Sequence, residues 1–390
     1  MIDRQALATT LLELLAIPSP SGFTDAITRY IASRLDALGV AYEITRRGTV
    51  RAHLPAASPG SDEPAQAVVC HVDTIGAMVR RIQHDGRILV APIGYWSSRF
   101  AEGTRVTLFT EQRSYRGTLL PQVTWGVSRD AGVDDAPIGW EHLELRLDEM
   151  VTSPEAVRAR GIEIGDFIAL DTQAEVLENG FIVGRNLDNK AGAAAVLEAI
   201  GDLVNRGETP PRDVYFLFTV TETVGTGAGS AILPEVSELV TVDFAAEAWA
   251  EHSPFEHLTI ASGDAAGPYD WHLTHHLSEL ARSQDIPFER RVLPASHNDA
   301  AAALAAGHDV RTAVVAYAAD ASHSLERTHF RSLENLTALL DAYVLGAPTF
   351  AHDTSLIRTV DDFSHQIDAG ELPETDQDLP KSAEVLRRLS

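Results

Sequence analysis

Five short stretches of the chain carry imidazole or acid groups of the kind that hold cations or move protons. They are His71-Val72-Asp73, Asn186-Leu187-Asp188-Asn189-Lys190, Thr221-Glu222-Thr223, Val242-Asp243 and Ser322-His323-Ser324-Leu325-Glu326. Imidazole nitrogens and carboxylate oxygens together are the donors that bind zinc and similar divalent ions, and one carboxylate with two oxygens can bridge a pair of them. Asp188 is the candidate for that bridge. His71, Asp243 and His323 supply further metal-type side chains, and Glu222 is placed to act as general base on a metal-activated water. His71 and Asp73 are two residues apart, and on a strand both point to one face. Asp73 can then hold the imidazole in the tautomer a metal needs, which places it beside Glu222 among the catalytic candidates. Each group alone has a plainer role: Asp188 or Asp243 as a helix cap, Glu222 as a turn acid, His323 as a loop histidine. The joint pattern is what favours a metal centre, since all five fall where an apolar strand is expected to stop.

These groups need elements to carry them. Asp188 follows the strand-like Gly180-Phe181-Ile182-Val183 and precedes a helix-like, alanine-rich run from Ala191, a strand-to-helix junction of the kind at which open α/β sheets collect ligands. Ala67-Val68-Val69-Cys70 is short and wholly apolar, as an interior parallel strand is, and it delivers His71. Val214 to Val220 is a buried strand leading to Glu222, Leu239 to Val242 a strand ending at Asp243, and Thr312 to Ala316 the last strand before His323. Helices are expected over residues 3–16, 24–38, 268–283, 299–306 and 333–345, and strands over segments 41–54 and 66–72. Between residues 77 and 177 the texture changes to short alternating strands with glycine-bearing turns, such as the Asp85-Gly86 hairpin signal. That block is read as a small β-barrel domain (77–177) inserted into an α/β catalytic domain made of 1–76 and 178–346. A loop spans 121–141, and an acidic tail follows over 347–390.

Composition sets outer limits. The chain has 390 residues, 45% hydrophobic and 22% charged, which suits a globular protein of two domains. Its 56 Asp and Glu against 31 Lys and Arg give a formal charge of -25, a field that repels nucleic acid and anionic membranes. With one cysteine, Cys70, no intrachain disulfide can form, so a reducing compartment fits. The N-terminus lacks a basic-then-apolar leader and no apolar run reaches spanning length; a cytoplasmic location is expected.

The order of the motifs resembles the TET-type aminopeptidases, dinuclear metallopeptidases that include glutamyl and deblocking aminopeptidases and relatives once labelled endoglucanases. That order is His-x-Asp, Asn-Leu-Asp-Asn-Lys-Ala-Gly, Phe-Thr-Val-x-Glu, Val-Asp and His-Ser-x-Glu, with a β-domain between the first two. The resemblance covers about residues 5–346. The stretches Pro92 to Trp96, Gly161 to Asp166 and Ser322 to His329 look most like a bacterial branch associated with a peptide osmoprotectant system. The resemblance implies a zinc-peptidase-like α/β sandwich with an inserted small β-barrel, and a homo-oligomer, often a tetrahedral dodecamer in family members. It also implies a ligand set: Asp188 bridging two cations, His71 and Asp243 completing one site, His323 and a second glutamate the other, with Glu222 as base. The cofactor expected is one or two divalent cations per chain, zinc first, with cobalt or manganese as alternatives.

One position departs from the family. Its Glu-Glu pair reads Glu222-Thr223 here, and a neutral hydroxyl is a poorer ligand for a divalent cation than a carboxylate, so the second site is expected to be weakened. Glu247, Glu251 and His252 are the nearby groups able to substitute. The leading expectation is a metal-dependent aminopeptidase-like hydrolase of small peptides. Two others stand beside it: an amidohydrolase of N-acyl or amide-blocked peptides, and a degenerate, non-catalytic homologue, for which Thr223 is the main support. A glycosidase has paired acids available but no use for His71 and His323, and ranks last.

Overall fold

Two helices open the chain, and their apolar spacing becomes packing. α1 (Arg4–Ala16) starts on Asp3, whose carboxylate accepts the Gln5 N–H, and buries Leu7, Leu11, Leu14 and Leu15. The Pro18 and Pro20 that follow cannot continue it. α2 (Asp25–Leu38) stops at Gly39, which takes a left-handed conformation, φ 69°, that favours glycine. This computed structural model describes residues 3–58, 63–123, 137–246, 255–350 and Phe363. One compact unit is Met1–Thr354; the other, Ser355–Ser390, contains only Phe363 among the described residues. Apart from Phe363, the expected acidic tail beyond residue 350 lies outside the described residues, as do residues 124–136 of the expected loop.

The segment 41–54 forms two strands, β1 (Ala41–Ile44) and β2 (Val50–Leu54), paired as a hairpin and followed by β3 (Ala65–His71). A six-stranded barrel comes next: β4 (Gly76–Ile82), β5 (Ile88–Ile93), β6 (Arg105–Phe109), β7 (Ser114–Pro121), β8 (Leu143–Leu147) and, after the short α3 (Pro154–Arg158), β9 (Phe167–Leu170). The chain then returns to the sheet with β10 (Glu175–Val176), β11 (Phe181–Gly184), α4 (Leu187–Arg206), β12 (Val214–Thr219), β13 (Val236–Ala246) and β14 (Leu258–Asp264). It closes with β15 (Gly267–Pro268), α5 (Trp271–Ser283), β16 (Phe288–Leu293), α6 (Asp299–Ala305), β17 (Arg311–Asp320), β18 (Glu326–His329) and α7 (Phe330–Leu345).

The main sheet has twelve strands in the order β1-β2-β12-β3-β13-β17-β18-β11-β10, with β14 beside β17 and carrying β15 and β16. Its centre, β12, β3, β13 and β17, is parallel. Both faces of this centre are covered. Val68 and Cys70 look into a core shared with Leu11, Ile31, Leu197 and Leu336 of four helices, while Ala67 and Val69 meet Ala228, Ile232 and Ala303 on the other side. That double burial is why β3 is apolar without alternation. Each fully buried Val or Leu contributes about 1.5–3 kcal/mol.

The barrel closes in the order β4-β5-β8-β7-β6-β9 around Val79, Val90, Val106, Leu108, Leu119, Leu145 and Ile168. Its first strand leaves the main sheet only a few residues after His71. There Gly76 packs so closely on Pro20 that a Cβ would come within 2.6 Å of the proline ring, and the Trp96 indole N–H donates to the Gly76 carbonyl at 3.1 Å. The turn after β5 is thereby held against the start of β4, a few residues beyond His71.

Candidate metal centre

His71 is the last residue of β3, buried, with its ring set among three partners. Nδ1 lies 3.0 Å from the backbone carbonyl of Asp73, and Nε2 lies 3.0 Å from Asp188 Oδ1 and 3.4 Å from Glu222 Oε2. His323 sits in the turn between β17 and β18 in a left-handed conformation, φ 59°. Its Nδ1 is 2.7 Å from the carbonyl of Tyr95, in the barrel turn after β5, and its Nε2 is 3.1 Å from Asp188 Oδ2. Both imidazoles thus donate Nδ1–H to a main-chain carbonyl and present Nε2 to separate oxygens of one carboxylate. A carbonyl acceptor on one nitrogen fixes the other as the ligating atom, which is how metal-binding histidines are commonly oriented.

Asp188 reaches this place because the start of α4 is not helical. Asn186 is left-handed (φ 64°), Asp188 is extended (ψ 108°), and the Asp188–Asn189 peptide bond is cis. Four contacts pin this kink: the Tyr317 hydroxyl donates to the Leu187 carbonyl, the Asp188 N–H to Glu326, the Asn189 amide to the Val242 carbonyl and the Lys190 ammonium to the Ile17 carbonyl. The carboxylate is therefore not spent as a helix cap. Asp243 joins from β13: His71, Asp188 and Asp243 offer one ligand atom each, all within 4.8 Å of one another. The strand runs on to Ala246, so Asp243 lies within it and not at its end.

The expected partnership of Asp73 with the His71 ring takes a different form. β3 ends at His71, so strand alternation does not extend to Asp73. The ring bonds the Asp73 carbonyl, while the carboxylate stands 3.7 Å from Nδ1 and turns across to the loop after β12. There it accepts the N–H groups of Glu222 at 3.2 Å and Thr223 at 3.3 Å and the hydroxyl of Ser21. Asp73 positions the loop that carries Glu222.

Burial and like charge shape the electrostatics. Burial pushes Asp243 up to about 7, with Asp188 adding to the effect. Burial also drives Glu222 well above the usual carboxylate range; His71 opposes this, and Asp243, Asp299 and Asp188 reinforce it. Burial should lower His71, yet the charges of Glu222, Asp188 and Asp73 lift it well above the ordinary histidine value. His323 is likewise lifted against burial to about 9 by its bond to Asp188. Asp188 alone moves down: burial opposes this, and the hydrogen bonds from His323 and His71 prevail. The pocket gathers more acid than base, and a divalent cation supplies the charge that the acids otherwise draw from protons. The donor set fits a divalent metal.

Three contributors carried no role in the sequence. Glu326, buried, accepts the His323 N–H with one oxygen and the Asp188 N–H with the other, tying the two together. The Tyr95 carbonyl orients His323 from the barrel. Asp299, the first residue of α6, is buried; it accepts the Thr219 hydroxyl at 3.0 Å and presses so close to Gly227 that a Cβ there would lie 2.1 Å from Oδ1. Glu326 and Tyr95 lie in quoted motifs, but a main-chain contact leaves no signal in residue type, and Asp299 is brought in by packing alone. Glu247, Glu251 and His252 lie outside the described residues.

Comparison with known proteins bears on the same residues. Residues 48–339 match the family model for M42 glutamyl aminopeptidase. The chain is 36% identical to YhfE of Bacillus subtilis (strain 168) over 338 residues, 85% of this chain and 95% of YhfE. In fold it is similar to aminopeptidase APDkam598 from the archaeon Desulfurococcus kamchatkensis (TM-score 0.78, 22% identity, 89% of this chain and 96% of that one). It is also similar to the Pyrococcus horikoshii TET1 peptidase, which can assemble into a tetrahedron or a large octahedral shell (TM-score 0.76, 22% identity, 87% and 100%). The span of the family match and the likeness to YhfE decide the matter: the chain belongs to the M42 glutamyl aminopeptidase family of metal-dependent, aminopeptidase-like hydrolases.

Proposed function

We propose that the chain removes residues from the N-termini of small peptides, with Glu222 as general base and His71, Asp188, Asp243 and His323 as the residues that hold divalent metal, zinc in the first instance. The observation that carries this is the pair of imidazoles, each anchored through Nδ1 on a main-chain carbonyl and each presenting Nε2 to one oxygen of Asp188, with the Glu222 carboxylate beside them. A bound divalent cation supplies Lewis acidity, polarising the scissile carbonyl and making water a better nucleophile. Glu222 takes the proton from the attacking water and returns it to the leaving amine, and its raised proton affinity suits both steps. Asp73 keeps Glu222 in place through the loop amides. His71 and His323, held by main-chain carbonyls, need little reorganisation to bind.

Glu222→Gln tests this reading. Hydrolysis of aminoacyl-p-nitroanilides is expected to fall by about 10²–10⁴-fold while metal content is kept. Activity within a few-fold of wild type removes Glu222 from the mechanism. The substrate panel includes N-acetylated and C-amidated peptides, because the same residues would serve an amidohydrolase. Turnover confined to blocked peptides moves the assignment there, and metal without turnover of any peptide favours a non-catalytic homologue. The proposal extends to a cytoplasmic homo-oligomer: the single cysteine, Cys70, is buried and unpaired, and the TET1 peptidase, similar in fold, can assemble into a tetrahedron or a large octahedral shell. Light scattering on the purified chain tests for a dodecamer. Among the described residues, no helix is long and apolar enough to cross a membrane.

A further inference from the structure

Three turns are joined at the candidate metal centre, and each carries an exposed apolar side chain. The barrel turn after β5 bears Tyr95, which is 85% exposed. The loop after β12 bears Val224, just beyond Glu222 and Thr223, and the turn between β17 and β18 bears Leu325, between His323 and Glu326; each is 41% exposed. Two contacts tie the turns together. The Tyr95 carbonyl accepts the His323 Nδ1–H at 2.7 Å, and Gly94 packs so tightly on Thr223 that a Cβ there would lie 2.6 Å from the threonine methyl. One leucine or valine in water carries no information, but apolar groups on three turns tied at one pocket mark a place where a ligand is covered.

Tyr95 is the most telling of the three, because its backbone is fixed while its ring is left in solvent. Gly94 before it is left-handed, φ 81°, and wedged against Thr223. Trp96 after it is buried; its indole N–H donates to the Gly76 carbonyl at 3.1 Å, and its own carbonyl accepts the Trp140 indole N–H at 3.2 Å. The Tyr95 carbonyl and the Asp188 carboxylate sit at opposite nitrogens of one imidazole, that of His323, so the residue stands beside whatever the centre holds. The fold has no use for its ring, which offers a broad apolar face and a polar tip. An aromatic on so rigid a backbone loses little freedom when a bound peptide covers it.

We propose that Tyr95, with Val224 and Leu325, makes the chain select peptides whose N-terminal residue carries an apolar side chain, branched aliphatic or aromatic, over those that begin with an acidic one. This rests on the aminopeptidase reading and gives it a substrate class. Tyr95 is a specificity-determining residue and takes no part in moving protons. Covering its ring and the two aliphatic side chains releases water from apolar surface, which favours a leucyl or phenylalanyl side chain over a small one. A carboxylate set among the same three groups loses hydration and gains no opposite charge from them, so a glutamyl side chain is disfavoured there.

The test is kcat/KM of the full, zinc-loaded chain on leucyl-, phenylalanyl-, alanyl- and glutamyl-p-nitroanilides. Wild type should favour the leucyl and phenylalanyl substrates over the other two by at least about 10-fold. Tyr95→Ala keeps the main-chain carbonyl and should cut the leucyl-to-alanyl ratio by about 10-fold, mainly through KM, while the metal retained after passage over a chelating resin stays the same. Leu325→Lys places a cation on the rim and should raise the glutamyl-to-leucyl ratio by a similar factor; it serves if Tyr95→Ala does not fold. Wild type that favours the alanyl or glutamyl substrate overturns the inference and leaves the hydrolase reading intact. So does a folded Tyr95→Ala chain with an unaltered ratio; a smaller particle by light scattering then assigns Tyr95 to a contact between copies of the chain. Metal lost from Tyr95→Ala overturns the inference too, because the residue then acts through His323. Failure of wild type to turn over any of these substrates or the blocked peptides overturns the inference and the hydrolase reading together.

Discussion

A carboxylate that receives two backbone N–H groups and a hydroxyl fixes the loop that carries them, and Asp73 does this for Glu222 and Thr223 with Ser21 as third donor. Replacing it with asparagine keeps the shape but sets an amide NH₂ against one of the loop N–H groups. Asp73→Asn is expected to lower kcat about 10–100-fold, with metal content and KM little changed, because the proposed base is displaced and the proposed ligands are not. Steady-state kinetics with metal analysis checks this; a loss of metal with unaltered kcat in the reloaded protein would show that Asp73 supports His71 instead. Asp299 works from the other side of the same loop. Gly227→Ala puts a Cβ 2.1 Å from its carboxylate and should cost stability and kcat together, read by thermal melting and the same kinetics. The residue types at His71, Asp188, Glu222 and His323 announce this chemistry in the sequence, because few side chains ligate cations. The partners that aim them do not, since carbonyls and amides are common to every residue.

At the scale of elements, the kink opening α4 is what turns an apparent helix cap into a carboxylate shared by two imidazoles. It is held by Tyr317, Glu326, Asn189 and Lys190, which draw on β17, β18, β13 and the loop after α1. Tyr317→Phe leaves the buried Leu187 carbonyl without its donor and is expected to cost about 1–3 kcal/mol in denaturant unfolding. Because the lost bond lies one residue from Asp188, weaker metal retention should accompany it, measured by the chelating-resin assay. Unaltered stability would mean that the kink does not depend on this bond. The apolar run of β3 and the alanines of α4 are legible because burial on both faces and close helix packing demand those types. Asp243 inside β13 is not, since a strand's length is decided by its neighbours in the sheet, here β17, with which it pairs from Glu238 to Ala246.

Across the whole molecule, the crowded acids make stability depend on pH in an unusual direction. Asp243 and Asp299 rise from 3.8 to about 7, Glu326 from 4.5 to about 8 and His323 from 6.5 to about 9. Burial is the largest influence on each of the three acids, whereas for His323 it opposes the rise that Asp188 enforces. Each group holds its proton more firmly in the folded chain than in the unfolded one, so the stability they contribute is present at low pH and is lost as the pH rises from about 4 to about 9. Asp188, with its depressed value, acts only below that window. Chelator-treated protein should therefore melt at a lower temperature at about pH 8 than at about pH 6, and added zinc should raise the melting temperature more at the higher pH, because metal replaces those protons. Equal zinc shifts at the two pH values would contradict the proton balance described here. What the sequence alone determined was the α/β class, the β-rich interruption after His71 and the types of the reactive groups, because periodicity and ligand chemistry are local properties. The tertiary structure decided that Asp188 faces two imidazoles, that Asp73 serves Glu222, and that Thr223 packs on Gly94. Each of these joins segments far apart in the chain, and only the folded sheet and barrel bring them within a few ångströms.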